Sequence, residues 1–204
     1  MDWSLFHALN GPFRGNDPAQ DAAELFNAWA ILILAGAAAL TWLFAPPHGP
    51  RRSKLAAAAA TLAALVGLLT NAALSHLWDH ARPFADHPKQ TVLLVHHGAD
   101  NSFPSDHATV AFAIAFAVLA FHRRLGTFFL VLATLIGLDR ILVGVHYPVD
   151  VMASAIVGFA SALLVTTVGR PYVNRIVDIV SRITDPVVES ALRRLGWLRR
   201  ARLR

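Results

Sequence analysis

Long apolar stretches separated by short polar ones run through most of this 204-residue chain. A helix needs about 20 consecutive apolar residues to cross a hydrocarbon core of ~30 Å. Five segments reach or nearly reach that length, and each is predicted to be a transmembrane helix: residues 26–45, 55–77, 105–121, 125–145 and 149–168. The third segment is short for a span, and the polar run Pro-Ser-Asp-His at residues 104–107 covers its start.

This pattern predicts an all-α fold, a polytopic membrane helical bundle with five clear spans and with interfacial helices at its N- and C-terminal ends. We find no internal repeat, linker or second domain, so residues 1–204 are predicted to form a single integral membrane domain. Within it, residues 172–204 are predicted to be a basic amphipathic cytoplasmic tail, because apolar residues recur there at helical spacing between arginines. Residues 1–20 lack the basic start and apolar run of a signal peptide, so we expect the N-terminus to be retained.

The composition agrees with a membrane protein, and the basic residues predict its orientation. Hydrophobic residues make up 55% of the chain and charged residues 15%, and the mean hydropathy is +0.49. Of the 18 Lys and Arg residues, three lie in 51–54, two at 123 and 124, and nine from residue 170 onward. The positive-inside rule makes that side cytoplasmic. We therefore expect the N-terminus outside and the C-terminus inside.

The isoelectric point of about 10.7 comes from the same basic residues. Helices that lie on an anionic leaflet account for it, so no nucleic-acid partner is predicted; an RNA-binding tail is the alternative. The chain has no cysteine, which excludes disulfides and cysteine-ligated metal sites.

Three polar clusters are predicted to meet at the outer face of this topology: "HARPF" at 80–84, "PSDH" at 104–107 and "DRILVGVHYPVD" at 139–150. Each also has a simpler interpretation. Arg82 is a candidate interfacial anchor, and Ser105 is a candidate N-cap that accepts from the amide of residue 107 or 108. Asp139 and Arg140 are candidates for a local ion pair inside an apolar run, where an isolated charge is costly.

Taken together, these side chains predict a positively charged pocket suited to phosphoryl transfer. Two arginines and the free amides at a helix start can neutralise phosphate oxygens. In His146, one ring nitrogen can be held by Asp150 four residues later, which leaves the other as a nucleophile. A second histidine can protonate the leaving oxygen. Arginines beside the histidines favour a site without a metal or other cofactor.

The order Arg-Pro, Pro-Ser-x-His and Arg-x5-His-x3-Asp resembles the signature of the type-2 phosphatidic acid phosphatase superfamily, which includes membrane lipid phosphatases and soluble haloperoxidases. Here it reads Arg82-Pro83, Pro104 to His107, and Arg140 to His146 to Asp150. The resemblance implies that His146 forms a phosphohistidine, that Asp150 orients it, and that His107 is the acid and then the base. It also implies a set of groups that hold the phosphoryl oxygens: Arg82, Arg140, Ser105 and the backbone amides of Asp106 and His107.

Two positions depart from the family pattern. The lysine usually found seven residues before the first arginine is Ser75 here, and the serine usually found before Arg140 is Asp139. Side chains that could supply the missing donor are Lys89, His80, His96 and His97.

The stretches "HHGADNSFPSDHATVAFAI", "ARPF" and "VGVHYPVDV" are similar to the bacitracin-resistance type of undecaprenyl-diphosphate phosphatase. That subgroup implies hydrolysis of undecaprenyl diphosphate to undecaprenyl phosphate and inorganic phosphate, which recycles the lipid carrier of cell-wall synthesis. It also implies a multi-pass protein of the bacterial inner membrane with its active site facing the periplasm.

Two other functions stay open at this stage. The same chemistry suits another lipid phosphate, such as phosphatidylglycerol phosphate, phosphatidate or a lipid A phosphate. A small polytopic transporter that uses Asp139, Arg140 and His146 as a relay is a more distant alternative.

Overall fold

The computed structural model describes residues 2–43 and 51–194, which contain helices and loops and no strand. The α-helices, in chain order, are α1 (Asp2–Asn10), α2 (Asp17–Leu43), α3 (Arg51–Leu77), α4 (Pro83–Asp86), α5 (Asp106–Phe121), α6 (Arg123–Leu142), α7 (Pro148–Thr166) and α8 (Arg170–Arg194). A 3-10 turn at Gly11–Phe13 joins α1 to α2. The predicted all-α fold is confirmed.

Four of these helices, namely α2, α3, α6 and α7, are long and apolar enough to cross a membrane. The predicted third span is α5, which has 16 residues and is shorter than the others. The polytopic bundle is therefore confirmed, while the number of full-length spans is four rather than five. The boundaries also differ from the prediction, most of all where α2 and α3 begin, at residues 17 and 51 rather than 26 and 55, and where α6 ends, at residue 142 rather than 145. Residues 44 and 45, predicted to end the first span, lie outside the described residues.

Helix α5 is the centre of the bundle and packs against α3, α6 and α7. Its buried side chains point in every direction around the helix: Ala108, Thr109, Ala111, Phe112, Ala113, Ile114, Ala115, Ala117, Val118 and Phe121. A helix that is apolar all round is expected to be enclosed by other helices. Because protein rather than lipid surrounds α5, it need not match the thickness of the bilayer.

Small residues let the neighbouring helices approach α5 closely. Gly158 of α7 is one example, because a Cβ atom there would lie 2.8 Å from the backbone nitrogen of Ala113. Gly67 of α3 is another, because a Cβ atom there would lie 2.8 Å from the side chain of Thr109 near the start of α5. The first turn of α5, which carries the "PSDH" cluster, is thereby held in a fixed place between α3 and α7.

Helix α1 ties the loops together at the end of the bundle where α5 begins. The side-chain amide of the fully buried Asn10 donates to the carbonyls of Val92 and Leu142, at 2.8 Å each. The Asn10 side-chain oxygen accepts from the Val92 amide at 2.8 Å. The N-terminal helix therefore fixes the linker between α6 and α7 against the loop that precedes α5.

The opposite end of the bundle carries basic residues and α8. Arg51 and Lys54 of α3 each lie 2.5 Å from an aspartate of α8, Asp178 and Asp185 respectively. One face of α8 is buried through Val173 and Val177, and other apolar residues of the helix are exposed. This agrees with an amphipathic tail up to residue 194. Residues 195–204 lie outside the described chain, and the single-domain and cytoplasmic-tail assignments stay predictions.

Candidate active site

A cavity of about 480 Å³ opens at the end of the bundle where α5 begins. All three sequence motifs contribute to its wall: Arg82 from the first, Pro104, Asp106 and His107 from the second, and His146 from the third. Residues of α3 and of the loop before α5 complete the wall, among them Asn71, Ser75, His97, Asp100 and Asn101. Clusters that are distant in the sequence therefore meet at one cavity.

His146 lies in the linker between α6 and α7 and is almost fully buried. Its Nδ1 is 3.5 Å from Asp150 Oδ2, and its Nε2 is 3.3 Å from Arg82 Nη1. A guanidinium can only donate, so Nε2 is the acceptor and Nδ1 carries the ring proton. Burial lowers the pKa of His146 to about 4; the hydrogen bond to Asp150 acts in the opposite direction, and the charge of Arg140 lowers it further. At neutral pH the ring is therefore neutral, with an unprotonated nitrogen at the cavity wall.

Asp150, fully buried in the first turn of α7, accepts from several donors besides His146. Its Oδ2 receives the Ser102 hydroxyl at 2.5 Å and the Tyr147 backbone amide at 2.8 Å. Its Oδ1 lies 3.0 Å from Nδ1 of His80. Pro148 begins α7 and sets its first turn, which places the carboxylate back over the linker. The carboxylate is thus fixed from three sides and orients the His146 ring.

Arg82 is held by contacts on all of its nitrogens. It donates from Nε to Asp100 at 2.9 Å, from Nη1 to the Val145 carbonyl at 3.0 Å, and from Nη2 to the Asn101 carbonyl at 3.1 Å. Burial acts to raise the pKa of the Asp100 carboxyl, but the bond and charge of Arg82 outweigh it and lower that pKa below its ordinary value. Arg82 is 5% exposed, so the interfacial-anchor interpretation is wrong.

Ser105 and Arg140 carry unpaired donors. Within the described residues, the Ser105 hydroxyl and the Arg140 Nε are the two buried side-chain atoms that lack a hydrogen-bond partner. Ser105 does precede the first residue of α5, but its hydroxyl caps no backbone amide, so the predicted side-chain cap is wrong. Arg140 donates from Nη1 to Asn27 of α2 and makes no ion pair with Asp139 among the described residues. Buried donors without a partner are costly unless a ligand meets them.

His107 and Asp106 form the first turn of α5 at the cavity wall. His107 is half-buried, and no hydrogen bond to its ring is found within the described chain. Asp106 accepts from the side-chain amide of Asn71 at 2.8 Å, and that amide also donates to Thr109 at 3.0 Å. Asn71 thus links α3 to the start of α5 through these hydrogen bonds, and Asp106 is one of the two acceptors.

The structure therefore brings Arg82, His107 and His146 to the cavity wall, with Asp106 beside them. The other predicted site residues, Ser105, Arg140 and Asp150, are buried next to that wall and do not line the cavity. Across residues 2–43 and 51–194, no group of three or more His, Asp or Glu side chains is arranged to hold a metal ion.

Sequence reasoning missed several contributors. Asn27 and Asn71 are polar residues within predicted spans. A polar side chain in an otherwise apolar span often has a functional or structural partner, so both could have been identified from the sequence. Ser102 gave no such signal, because its role depends on how the loop before α5 folds back onto Asp150. His80 was considered only as a substitute for the missing lysine, whereas it contacts Asp150.

Comparisons with known proteins agree with this arrangement. The model of the PAP2 superfamily matches residues 53–172, which include all three motifs. The chain is 32% identical over 191 residues to undecaprenyl-diphosphatase BcrC of Bacillus subtilis, covering 92% of this chain and 94% of the relative. It is 35% identical over 141 residues to a protein of Bacillus licheniformis named bacitracin transport permease protein BcrC, covering 68% and 69%.

Among solved structures, that of Aquifex aeolicus LpxE is similar, with a TM-score of 0.63 over 80% of this chain and 93% of that one. At 23% sequence identity, this similarity supports a shared fold and nothing further. The matched domain, the similarity over nearly the whole chain and the four apolar helices lead to one conclusion: this chain belongs to the PAP2 superfamily and is a multi-pass membrane phosphatase.

Proposed function

We propose that this membrane phosphatase hydrolyses undecaprenyl diphosphate to undecaprenyl phosphate and inorganic phosphate through a phosphohistidine at His146, and so recycles the lipid carrier. The similarity to the Bacillus subtilis undecaprenyl-diphosphatase supports the substrate. The observation that carries the mechanism is the position of His146, whose Nδ1 faces Asp150 while its unprotonated Nε2 faces Arg82 at the cavity.

In the first step, Nε2 of His146 donates its electron pair to the terminal phosphorus. The bond from that phosphorus to the bridging oxygen breaks, and this oxygen leaves with the lipid phosphate. His107, at the same cavity wall, delivers a proton to the leaving oxygen. Asp150 stabilises the positive charge that the His146 ring acquires.

In the second step, water attacks the phosphorus of the phosphohistidine and gives its proton to His107. The bond between phosphorus and Nε2 breaks, and inorganic phosphate leaves while His146 returns to its neutral form. Both steps use the same two histidines, with His107 as acid and then as base. The proposed reaction uses no metal or other cofactor.

The phosphoryl oxygens are held by groups that are fixed before the substrate arrives. Arg82 is locked by backbone carbonyls at the cavity wall. The hydroxyl of Ser105 and the Nε of Arg140 are donors buried next to that wall, with no partner in the described chain, and would meet a phosphoryl oxygen that enters beyond the open cavity. The backbone amides of Asp106 and His107 at the start of α5 add the positive end of a helix. Such preorganised donors stabilise charge that develops in the transition state.

We further propose that the site faces the periplasm of a bacterial inner membrane. The basic residues Arg51, Arg52, Lys54, Arg123 and Arg124 lie at the end of the bundle opposite the cavity, where Arg52 donates to the Phe121 carbonyl. Under the positive-inside rule, this distribution supports a cavity on the outer side of the membrane. The N-terminal helix lies on the cavity side and α8 on the other, which agrees with an outer N-terminus and an inner C-terminus.

The transporter alternative receives less support. One relative's name includes bacitracin transport, but in this chain the polar side chains gather at one end of the bundle. Transporters place their broken helices and binding groups near the bilayer midplane, often in paired repeats. Hydrolysis of another lipid phosphate is the stronger competitor, because it would use the same groups.

The experiment that tests the proposal is release of phosphate from undecaprenyl diphosphate by the purified protein in detergent with excess EDTA. We expect wild-type release, loss to background in His146→Ala, and a decrease of roughly 10²- to 10⁴-fold in His107→Ala. His96→Ala is a matched control, because His96 is exposed and does not line the cavity. It should retain wild-type activity.

Other results would change the proposal in defined ways. Release from phosphatidylglycerol phosphate but not from undecaprenyl diphosphate would overturn the substrate and keep the mechanism. Loss of wild-type activity in EDTA, with recovery on adding Mg²⁺ or Zn²⁺, would overturn the metal-free reaction. Activity retained by His146→Ala would overturn the phosphohistidine. Bacitracin, which sequesters undecaprenyl diphosphate, should inhibit only if that lipid is the substrate.

A further inference from the structure

The catalytic cavity holds a serine where the family signature usually has a lysine. Ser75 lines the cavity, and its hydroxyl is turned to the Ala72 carbonyl of its own helix at 2.9 Å. A substrate with two phosphates carries more negative charge than a simple phosphate ester, so the loss of a cation at this place calls for a replacement.

The structure distinguishes among the four side chains that were candidates to replace the missing lysine. His80 contacts Asp150 and does not line the cavity. Lys89 and His96 are exposed and also do not line it. His97 is the one of the four that forms part of the cavity wall.

The hydrogen bonds of His97 determine which of its nitrogens is free. Its Nδ1 lies 3.1 Å from the Gly98 carbonyl and 3.5 Å from the Asp100 carboxylate, so two acceptors face that nitrogen. Nδ1 is therefore a donor, and Nε2 can donate to a phosphate oxygen only in the imidazolium form, because the neutral ring leaves that nitrogen unprotonated. As an imidazolium, the ring would donate from both nitrogens. Asp100 also binds Arg82, so His97 and Arg82 are held by one carboxylate.

The depth of His97 indicates which phosphate it would meet. The side chains of His146 and Arg82 are 4% and 5% exposed, whereas that of His97 is 26% exposed. The phosphoryl group under attack must lie at the deep end, roughly 3–3.5 Å from the nucleophilic nitrogen. The ring centroids of His97 and His146 are 6.4 Å apart. His97 is the more exposed of the two rings and so lies nearer the cavity mouth, the side toward which the phosphate that stays with the lipid would extend.

We propose that His97 binds the non-transferred phosphate of a lipid diphosphate and so makes the site selective for diphosphates over monophosphates. The inference rests on the function proposed above. When the bond from the terminal phosphorus to the bridging oxygen breaks, that oxygen remains on the lipid-linked phosphate, which gains negative charge. The imidazolium form of His97, which donates from Nε2 as well as from Nδ1, stabilises that charge. A lipid monophosphate has no group at this place, so His97 contributes less to its hydrolysis.

The test compares farnesyl diphosphate with farnesyl monophosphate, because the two share a tail and differ by one phosphate. We expect His97→Ala to reduce kcat/KM for the diphosphate at least tenfold more than for the monophosphate, and His97→Lys to restore most of the difference. His96→Ala, the exposed neighbour, should leave the ratio unchanged. Equal losses on both substrates, or no loss on the diphosphate, would overturn the inference.

A binding measurement separates failure of this inference from failure of the proposed function. Calorimetry on the wild-type protein and His97→Ala would use methylene diphosphonate, a diphosphate analogue that is not hydrolysed, and inorganic phosphate. We expect the wild type to bind the analogue more tightly than phosphate, and His97→Ala to lose that preference. This readout does not depend on which lipid is cleaved. Equal affinity of the wild type for both ligands, or binding of neither, would overturn the inference.

Discussion

At the scale of single residues, one carboxylate orients His146, the proposed nucleophile. Asp150 is fully buried, and it is surrounded by the Ser102 hydroxyl, the Tyr147 amide and the rings of His80 and His146. A buried carboxylate needs such donors, because an unpaired buried charge is very costly. The same donors leave the carboxylate little freedom to rotate, and so they fix the direction in which His146 points.

Removal of the Ser102 hydroxyl tests this role. Ser102→Ala removes a hydrogen bond of 2.5 Å to the Asp150 carboxylate, and bonds to charged groups contribute about 1.5–3 kcal/mol. We expect kcat to fall about tenfold to hundredfold with KM nearly unchanged, because Ser102 does not line the cavity. Steady-state kinetics with undecaprenyl diphosphate, the proposed substrate, in detergent would measure both kcat and KM.

The matched control is Ser161→Ala. Ser161 is also a buried serine, and it lies in α7 roughly 16 Å further along the helix than Asp150. Its replacement should leave kcat unchanged. A wild-type kcat in Ser102→Ala, or equal losses in both variants, would contradict a specific role for the Ser102 bond.

The three motifs meet at one cavity, as the sequence predicted, whereas the partners of Asp150 were not predicted. Arg82, His107 and His146 have fixed spacings to neighbouring prolines and polar residues, so they could be recognised without a structure. Ser102 and His80 reach Asp150 across 48 and 70 residues of chain. Contacts of that kind depend on how loops pack in three dimensions. That packing produces no periodic pattern in the sequence, so it could not be predicted.

At the scale of elements, the linker between α6 and α7 sets the position of His146. Gly144 in this linker has φ of +87°, a conformation that residues with a side chain rarely adopt. A Cβ atom there would also collide with the Val92 carbonyl. The linker can therefore pass close beneath the loop before α5 only because this residue is glycine.

Gly144→Ala should strain the linker and displace His146. Such backbone strain costs on the order of 1–3 kcal/mol. We expect a lower thermal unfolding midpoint and a kcat reduced at least tenfold, since a small displacement of a catalytic group is enough to slow the reaction. Thermal unfolding in detergent and phosphate release from the same preparation would measure both effects.

Gly36→Ala provides the comparison. Gly36 lies inside α2, and a Cβ atom added there would have no neighbouring atom within 4 Å, so alanine fits and favours the helix by about 1 kcal/mol. This variant should keep its activity and should not unfold earlier. If Gly144→Ala behaved in the same way, the linker would not control His146 as described.

The elements themselves were largely predictable, with an instructive exception at α5. Hydropathy located all five apolar segments, because the length of a span is set by the bilayer. It did not predict that α5 would be the enclosed central helix. The hydropathy of an apolar helix is the same whether lipid or protein surrounds it. The missing cap at Ser105 has a related cause, because its hydroxyl was assigned to backbone amides from local sequence alone.

At the scale of the whole molecule, the two ends of the bundle differ in the charged residues that they carry. The cavity lies at one end, and the paired basic residues of α3 and the basic start of α6 lie at the other. Because the chain has no cysteine, a single introduced cysteine is a unique label for either end.

The proposed orientation can be tested with two such variants. Lys89→Cys lies in an exposed loop at the cavity end, and Arg124→Cys is exposed at the opposite end. A membrane-impermeant maleimide should label Lys89→Cys in intact right-side-out vesicles, and should label Arg124→Cys only after the membrane is permeabilised. The reverse pattern would place the site in the cytoplasm. Retained phosphatase activity in each variant would show that the label reports the native fold.

The enclosed position of α5 has a consequence for how the protein meets its surroundings. Large exposed apolar side chains are carried by the outer faces of the spanning helices, among them Leu69 of α3, Phe128 of α6 and Ile156 of α7. The helix that begins the catalytic pocket is instead wrapped in protein, with Ala111, Ala113 and Ala117 fully buried. Replacing the outer side chains with polar ones would then alter the solvent the molecule tolerates while leaving the packing around the histidines intact. Affinity for the bilayer thus depends on side chains that face outward, whereas the proposed catalytic groups face inward, so the two properties can be changed separately.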